Sequence, residues 1–121
     1  MKRYKVYITV RAYSDLRSRI GYLRNEKKSI QAAQALLDDY RETRSVLASI
    51  AGSLADPDEE KLKQRGLKRI NFLHHNYFML FRVEKEKVFI VRVFHGLEDY
   101  QNKGYVNNPV VDPLTALWSG L

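Results

Sequence analysis

The first apolar pattern in the chain is an alternation over residues 4–11. Val6, Ile8 and Val10 occupy every second position, and more polar residues fill the positions between them. Side chains of a β-strand point alternately to its two faces, so this spacing is typical of a strand with one buried face. We therefore predict a half-buried strand over residues 4–11.

Beyond this strand the apolar spacing changes to every third or fourth residue, which is typical of helices. Ser14 or a neighbour is suited to cap a first helix that ends near Arg24. A longer helix is predicted from about Ser29 to Ala51, where Gly52 is well placed to end it. The short polar connection between them predicts a helical hairpin, whose apolar face needs a sheet to pack against.

Three apolar segments with short connections follow in the second half of the chain. They span residues 67–73, 77–83 and 87–95. The basic segment between an exposed turn at residues 56–60 and Gly66 is predicted to be irregular. Strands joined by such short turns pair as antiparallel neighbours, so these three segments predict a meander.

The order of the elements predicts an α+β fold, β-α-α-β-β-β, with the helical hairpin packed on a four-stranded, mainly antiparallel, twisted sheet. The strand over residues 87–95 is apolar on both faces, which favours a central position with the strand of residues 4–11 beside it. One domain is predicted over residues 1–103. Residues 104–121 form a C-terminal extension that either docks as a short helix or stays loose.

The composition of the chain limits which cellular compartment and which kinds of binding partner are expected. The chain has no cysteine and no apolar run near the roughly 20 residues needed to cross a bilayer, so we expect a cytoplasmic protein without disulfides. The net charge is +7, and between residues 61 and 95 nine lysines and arginines stand against two glutamates. Such a region either attracts an anionic partner, such as nucleic acid, ribosome or an acidic protein segment, or only keeps a surface hydrated.

Residues 66–100, GLKRINFLHHNYFMLFRVEKEKVFIVRVFHGLEDY, contain an ordered set of short motifs. Gly-Leu-Lys-Arg opens one strand, Asn-Tyr enters the next, Phe-Arg-Val-Glu ends it, and Arg-Val-Phe-His-Gly-x-x-Asp closes the last. Together with the preceding helical hairpin, this set resembles the RelE/ParE superfamily of type II toxins. The resemblance covers about residues 3–103 and identifies residues 1–103 as a RelE/ParE-like toxin domain.

The resemblance implies a toxin that a small cognate antitoxin neutralises, with no cofactor, no membrane association and no small-molecule ligand. Members of the superfamily either inhibit DNA gyrase, similar to ParE, or cleave mRNA on the ribosome, similar to RelE. The segment His95–Asp99 is more similar to the ParE and plasmid-stabilisation branch, and Phe78 stands where RelE-like nucleases tend to carry an arginine. Gyrase binding is favoured; an mRNA endonuclease or a degenerate, non-toxic antitoxin-binding member are the alternatives.

The resemblance also implies candidate site residues. If the protein is a nuclease, a proton acceptor, a proton donor and a cation must meet at the scissile phosphate. The catalytic candidates are then His95, Tyr100 and Arg82. For either activity, the predicted target-binding residues are Lys68, Arg69, Arg82, Arg92 and His95.

The same residues have structural interpretations that the sequence leaves open. Arg82 and Arg92 lie in apolar strands, where a charge is costly unless it is paired. Their candidate internal partners are Glu84, Glu98 and Asp99. The position of His95 at the strand end is consistent with a hydrogen bond between its ring and Asp99. No metal site is predicted, because the two histidines of the 74–76 turn lack a third ligand nearby.

Overall fold

The computed structural model describes residues 3–55 and 60–96 of the chain. The elements follow one another in the predicted order, with one additional short helix. Their bounds are β1 Lys5–Ile8, α1 Val10–Asn25, α2 Ile30–Ile50, α3 Glu60–Gln64, β2 Lys68–Asn71, β3 Tyr77–Glu84 and β4 Lys87–His95. A 3₁₀ turn, Ala51–Ser53, follows α2 close to the predicted helix end. Tyr100, its acidic neighbours and the extension over residues 104–121 lie outside the described residues.

The strands form one four-stranded sheet in the order β1-β4-β3-β2. β4 is central, as predicted, and pairs antiparallel with β3 and parallel with β1. In the parallel pair, Val6 lies opposite Val88 and Ile8 lies opposite Ile90. The predicted fold, a helical hairpin on a mainly antiparallel four-stranded sheet, is therefore confirmed. None of the helices within the described residues is long and apolar enough to cross a membrane.

Helix α1 begins earlier than predicted, and β1 is correspondingly shorter. Thr9 is the capping residue: its hydroxyl oxygen accepts a hydrogen bond from the Ala12 N–H at 3.3 Å. The same hydroxyl donates to the carbonyl of Val91 at 3.2 Å, which fixes the helix start to β4. Val10 continues the apolar alternation of the strand, yet it is helical and 48% exposed. Because the apolar alternation continues through Val10, the strand predicted over residues 4–11 is longer than β1 in the structure.

Two apolar cores lie on the two faces of the sheet. The larger core packs α1 and α2 against one face, which we call the hairpin face, through side chains such as Leu16, Leu37 and Phe81. The opposite face, which we call the distal face, carries a second and smaller core. Its members are Leu62, Leu67, Phe78, Leu80, Val91 and Phe94.

Helix α3 occupies a segment that was predicted to be irregular. Leu62 is fully buried in the smaller core, and burying a leucine side chain contributes about 2 kcal/mol. A helix of five residues has little stability of its own, so this contact holds it in place. Gly66 ends the segment in the left-handed conformation, at φ 68°, which glycine adopts without steric cost. The sequence prediction missed α3 because its apolar partners lie on strands further along the chain.

Tyr40 of α2 is 2% exposed in the larger core. Within residues 3–55 and 60–96, its hydroxyl is the buried side-chain polar atom that has no hydrogen-bond partner. Burial raises the pKa of Tyr40 to about 12, against the opposing effect of the charges on Arg44 and Arg41. The hydroxyl therefore stays neutral and unpaired, which is unfavourable in a protein interior.

Replacing Tyr40 with phenylalanine is expected to raise the free energy of unfolding by about 1 kcal/mol, because the variant no longer buries an unpaired hydroxyl. Urea denaturation followed by far-UV circular dichroism measures this change. Tyr22 is 46% exposed, so Tyr22→Phe is a matched control that should shift stability by less than about 0.5 kcal/mol. A loss of stability in Tyr40→Phe would contradict the prediction.

Candidate functional site

The distal face of the sheet carries arginines stacked on aromatic rings. The Arg69 guanidinium carbon lies 3.8 Å from the centre of the Phe78 ring, and that of Arg82 lies 4.8 Å from the centre of Phe89. Tyr7 stacks on Phe89 at 5.4 Å between ring centres, with 18° between the ring planes. Each contact joins neighbouring strands, so the strand register of the meander brings these side chains together. We call this set the arginine–aromatic surface.

Arg82 is held in place from two sides. Its guanidinium lies over Phe89, and its Nε donates to Glu84 Oε2 at 3.0 Å. The side chain nevertheless remains 29% exposed. The internal pairing with Glu84 that the sequence left open is present, and it leaves the guanidinium within reach of a partner.

Lys68 and Arg69 lie on opposite faces of β2. Arg69 joins the distal face, where its Nε donates to Asn71 Oδ1 at 3.1 Å. Lys68 lies opposite Phe81 of β3, on the hairpin face of the sheet. Its Nζ donates a hydrogen bond to the Leu54 carbonyl at 2.7 Å. Of these two predicted target-binding residues, only Arg69 therefore lies on the arginine–aromatic surface.

Arg92 is bound internally rather than displayed. It is 4% exposed, and its Nε and Nη2 donate to the carboxylate of Asp15 at 2.7 and 3.1 Å. The Asp15 carboxylate also accepts a hydrogen bond from the Val93 N–H at 2.9 Å. This N–H lies on the edge of β4 that pairs with β1, beyond the point where β1 ends and α1 begins. This buried, bidentate ion pair is a structural link between α1 and β4, and it leaves little of Arg92 exposed to a partner.

His95 is the last residue of β4, whereas Arg82 of β3 lies beside the beginning of β4. Its ring meets Tyr77 edge to face, with 5.1 Å between ring centres. Arg82 pairs with Phe89, which is six positions before His95 on β4. At about 3.3 Å per residue, roughly 20 Å separates the backbone positions of the two residues along the sheet. The structure therefore does not bring these two catalytic candidates together.

A second group of polar side chains surrounds the 74–76 turn. Asp39 of α2 is 1% exposed, and its carboxylate accepts the backbone N–H groups of Leu73 and His74 at 3.1 to 3.2 Å. His75 Nδ1 lies 2.6 Å from Asp39 Oδ2, and the Thr43 hydroxyl lies 3.3 Å from Oδ1. Asp39 thus connects α2 to the β2–β3 turn.

The pKa of Asp39 is set by opposing effects. Burial alone would raise it, but the hydrogen bonds and charge of His75, with the N–H of His74, bring the pKa below its ordinary value of 3.8. On the surface beside it, the hydrogen bond from His74 Nε2 to Glu42 Oε2 at 3.0 Å raises the pKa of His74. These hydrogen bonds hold the polar turn against α2.

The sequence missed Asp15 and Asp39. Asp39 follows buried Leu36 by three positions and precedes buried Thr43 by four, which places it on the buried side of α2. That spacing is a signal that could have identified it. No local pattern marks Asp15, because its partner lies 77 positions away. Among the described residues, no group of three or more His, Cys, Asp or Glu side chains is arranged to hold a metal ion.

Comparison with known proteins gave one family and a structural relative. Residues 6–100 match the family model described as "ParE toxin of type II toxin-antitoxin system, parDE". A solved structure described as "Chromosomal ParDE TA system from P. aeruginosa" is 19% identical, with a TM-score of 0.62, over 77% of this chain and 96% of that one. At that identity the structure supports the fold alone, and a search of curated protein sequences gave no significant match. Because the family model spans most of the chain, the protein belongs to the ParE toxin family of the RelE/ParE superfamily.

Proposed function

We propose that this protein is the toxin of a type II toxin–antitoxin pair, that a cognate antitoxin neutralises it, and that it inhibits growth by binding DNA gyrase. Membership of the ParE family over residues 6–100 carries the first part of this proposal. The choice of gyrase over RNA cleavage is supported by the separation of Arg82 and His95.

Cleavage of RNA through its 2′-hydroxyl needs a proton acceptor, a cation and a proton donor within a few ångströms of one phosphate. Arg82 and His95 are roughly 20 Å apart on the sheet and cannot contact the same phosphate. Arg92 is bonded to Asp15, and the position beside Tyr77 that would carry a nuclease arginine holds Phe78, which is fully buried. This arrangement favours a binding protein over a nuclease.

The arginine–aromatic surface supplies the binding chemistry. Planar guanidinium groups recognise carboxylates and phosphates with two parallel hydrogen bonds, and stacking on an aromatic ring fixes their orientation. Arg69 and Arg82 are both stacked and partly exposed, so little side-chain freedom is lost when a partner binds. The net charge of +7 adds long-range attraction to an anionic partner. We therefore place the gyrase contact on the distal face, with Arg82 at its centre.

Replacing Arg82 with alanine is expected to weaken inhibition of gyrase supercoiling by about tenfold, because one oriented guanidinium is removed. Arg82→Lys keeps the charge but loses the planar fork, so it should restore only part of the activity. The assay titrates purified protein into gyrase acting on relaxed plasmid. Arg17→Ala removes an exposed arginine on α1 and should inhibit like the unchanged protein.

Two results would contradict the proposal in different ways. Cleaved messages in primer extension on ribosome-bound mRNA, without gyrase inhibition, would overturn the choice of target. Gyrase inhibition that is equal in Arg82→Ala and Arg17→Ala would keep the target and move the contact away from the distal face. Circular dichroism of each variant separates loss of contact from loss of fold.

A further inference from the structure

A row of three flat side chains crosses the distal face near the β3–β4 turn. Arg82 of β3 lies opposite Phe89 of β4, and Phe89 lies opposite Tyr7 of β1. The Arg82 guanidinium covers one side of the Phe89 ring, and Tyr7 stacks on it at 5.4 Å between ring centres. Because β3 and β1 flank β4 on its two sides, both faces of the Phe89 ring are covered within the row.

The row ends at Tyr7, because β1 is an edge strand of the sheet. Phe89 covers the inner face of the Tyr7 ring. Within residues 3–55 and 60–96, no further ring, cation or hydrogen-bond partner contacts this side chain. The tyrosine is partly exposed, and its packing on Phe89 fixes the orientation of the ring. Its outer face can therefore take one more flat group into the same stack.

Two lysines stand beside the open end of the row. Lys5 is two positions before Tyr7 on β1, so the alternation of the strand places it on the distal face. Lys87 is placed in the same way by Phe89 on β4. The two lysines are exposed and directly opposite each other, and neither has an acidic partner in the described part of the chain. Because like charges at opposed positions are unfavourable, an anion between them is stabilised.

A concavity of about 720 Å³ lies beside Phe89, against the β3–β4 turn. The turn residues 84–87 form its other described walls. Of its two carboxylates, that of Glu84 already accepts a hydrogen bond from Arg82 Nε at 3.0 Å, and Glu86 also interacts within the chain. Sites for small organic groups typically measure about 300–1,000 Å³, so the concavity has room for the sugar and phosphate of a nucleotide.

We infer that the open end of this row binds single-stranded DNA, with a base stacked on the outer face of Tyr7 and the adjoining phosphates beside Lys5 and Lys87. The choice of DNA rests on the proposed function, because DNA is the substrate of gyrase. A single strand offers exposed base faces for stacking. An arginine of a protein partner would also stack on the ring, but the two lysines repel it. A nucleotide combines a flat group with negative charge and fits both the ring and the lysines.

The test measures the fluorescence anisotropy of a labelled strand of about a dozen thymidines with the full-length protein. Tyr7→Leu keeps the apolar bulk but removes the ring, and it is expected to weaken binding by about tenfold. Tyr7→Phe keeps the ring and should bind within about twofold of the unchanged protein. Tyr22 is 46% exposed and has Lys27 at 5.8 Å from its ring centre, so Tyr22→Leu is a matched control. It lies outside the row and should change binding by less than about twofold.

The lysines are tested through the dependence of binding on salt. Each phosphate contact of a single strand contributes about 0.7 to the slope of log K against log salt concentration. Replacing Lys5 and Lys87 together with glutamine should therefore reduce that slope by about 1.4. Replacing Lys27 and Lys28 with glutamine removes the same charge from the connection between α1 and α2 and should leave the slope unchanged.

Three results would overturn the inference. They are equal binding by Tyr7→Leu and Tyr22→Leu, equally tight binding of a DNA duplex of the same length, and tighter Tyr7-dependent binding of an RNA strand of the same length. Circular dichroism of each variant confirms that the fold is kept.

Gyrase inhibition is measured on the same preparations. If inhibition depends on Arg82 while Tyr7→Leu binds the strand like the unchanged protein, the inference fails and the proposed target stands. If the protein does not inhibit gyrase but binds the strand through Tyr7, the proposed target fails and the stacking contact stands. The two failures therefore give different results.

Discussion

Replacing Asp15 with alanine is expected to lower the free energy of unfolding by about 3 kcal/mol, since it leaves a buried arginine without its counterion. Arg92 is 4% exposed, and its Nε and Nη2 both donate to this one carboxylate. The Val93 N–H loses its acceptor in the same substitution. Urea denaturation followed by far-UV circular dichroism measures the difference, and a second transition at low urea would show that α1 detaches first.

Two further variants show whether the unpaired charge is the cause. Replacing Arg92 with leucine in the Asp15→Ala background should recover much of the loss, because it removes the buried charge whose carboxylate counterion is gone. Asp38→Ala removes an exposed aspartate from α2 and should change stability by less than about 0.5 kcal/mol. If Asp15→Ala unfolds like Asp38→Ala, the ion pair does not stabilise the fold.

Replacing Asp39 with alanine is expected to cost about 3 kcal/mol, because the N–H groups of Leu73 and His74 lose a charged acceptor. The carboxylate is buried and also holds His75 and Thr43, so the β2–β3 turn loses its attachment to α2. Hydrogen exchange should report faster opening of residues 73–76 than of β4. The adjacent Asp38→Ala is the matched control for this change as well.

The pH dependence of this contribution has a definite sign. The folded pKa of Asp39 is lowered, so the stabilisation is present above the ordinary value of 3.8 and is lost as pH falls through the folded pKa. The stability difference between the unchanged protein and Asp39→Asn should therefore be largest near neutral pH and shrink in acid below pH 3.8. A difference that grows on acidification would contradict the role assigned to the carboxylate.

Much of the fold was predictable because the relevant patterns are local. The apolar residues on both faces of the strand over residues 87–95 identified the centre of the sheet, and the short turns identified the meander. Two elements were wrong for reasons that are not local. The start of α1 depends on a contact of Thr9 with Val91, and α3 depends on a core that Leu62 shares with β3 and β4.

The candidate site was predictable only in part. The pair Arg82 and Glu84 lies on one face of a single strand, so its spacing alone suggested the contact. The separation of Arg82 from His95 could also have been predicted from the sequence, because a tight turn between Glu84 and Lys87 sets the register of the whole hairpin. The partner of Arg92, which is Asp15, could not be predicted from the sequence, since the contact depends on how α1 crosses the sheet edge.

The parallel pairing of β1 with β4 has a consequence for protein synthesis. β1 is made early, but its partner begins at Lys87, and the chain between Ile8 and Lys87 takes roughly 4 to 16 s to synthesise at 5–20 residues per second. Until β4 leaves the ribosome, neither the Tyr7–Phe89 stack nor the Arg82–Phe89 contact exists. A growing chain thus lacks a complete arginine–aromatic surface, and a message truncated before β4 encodes a fragment without one.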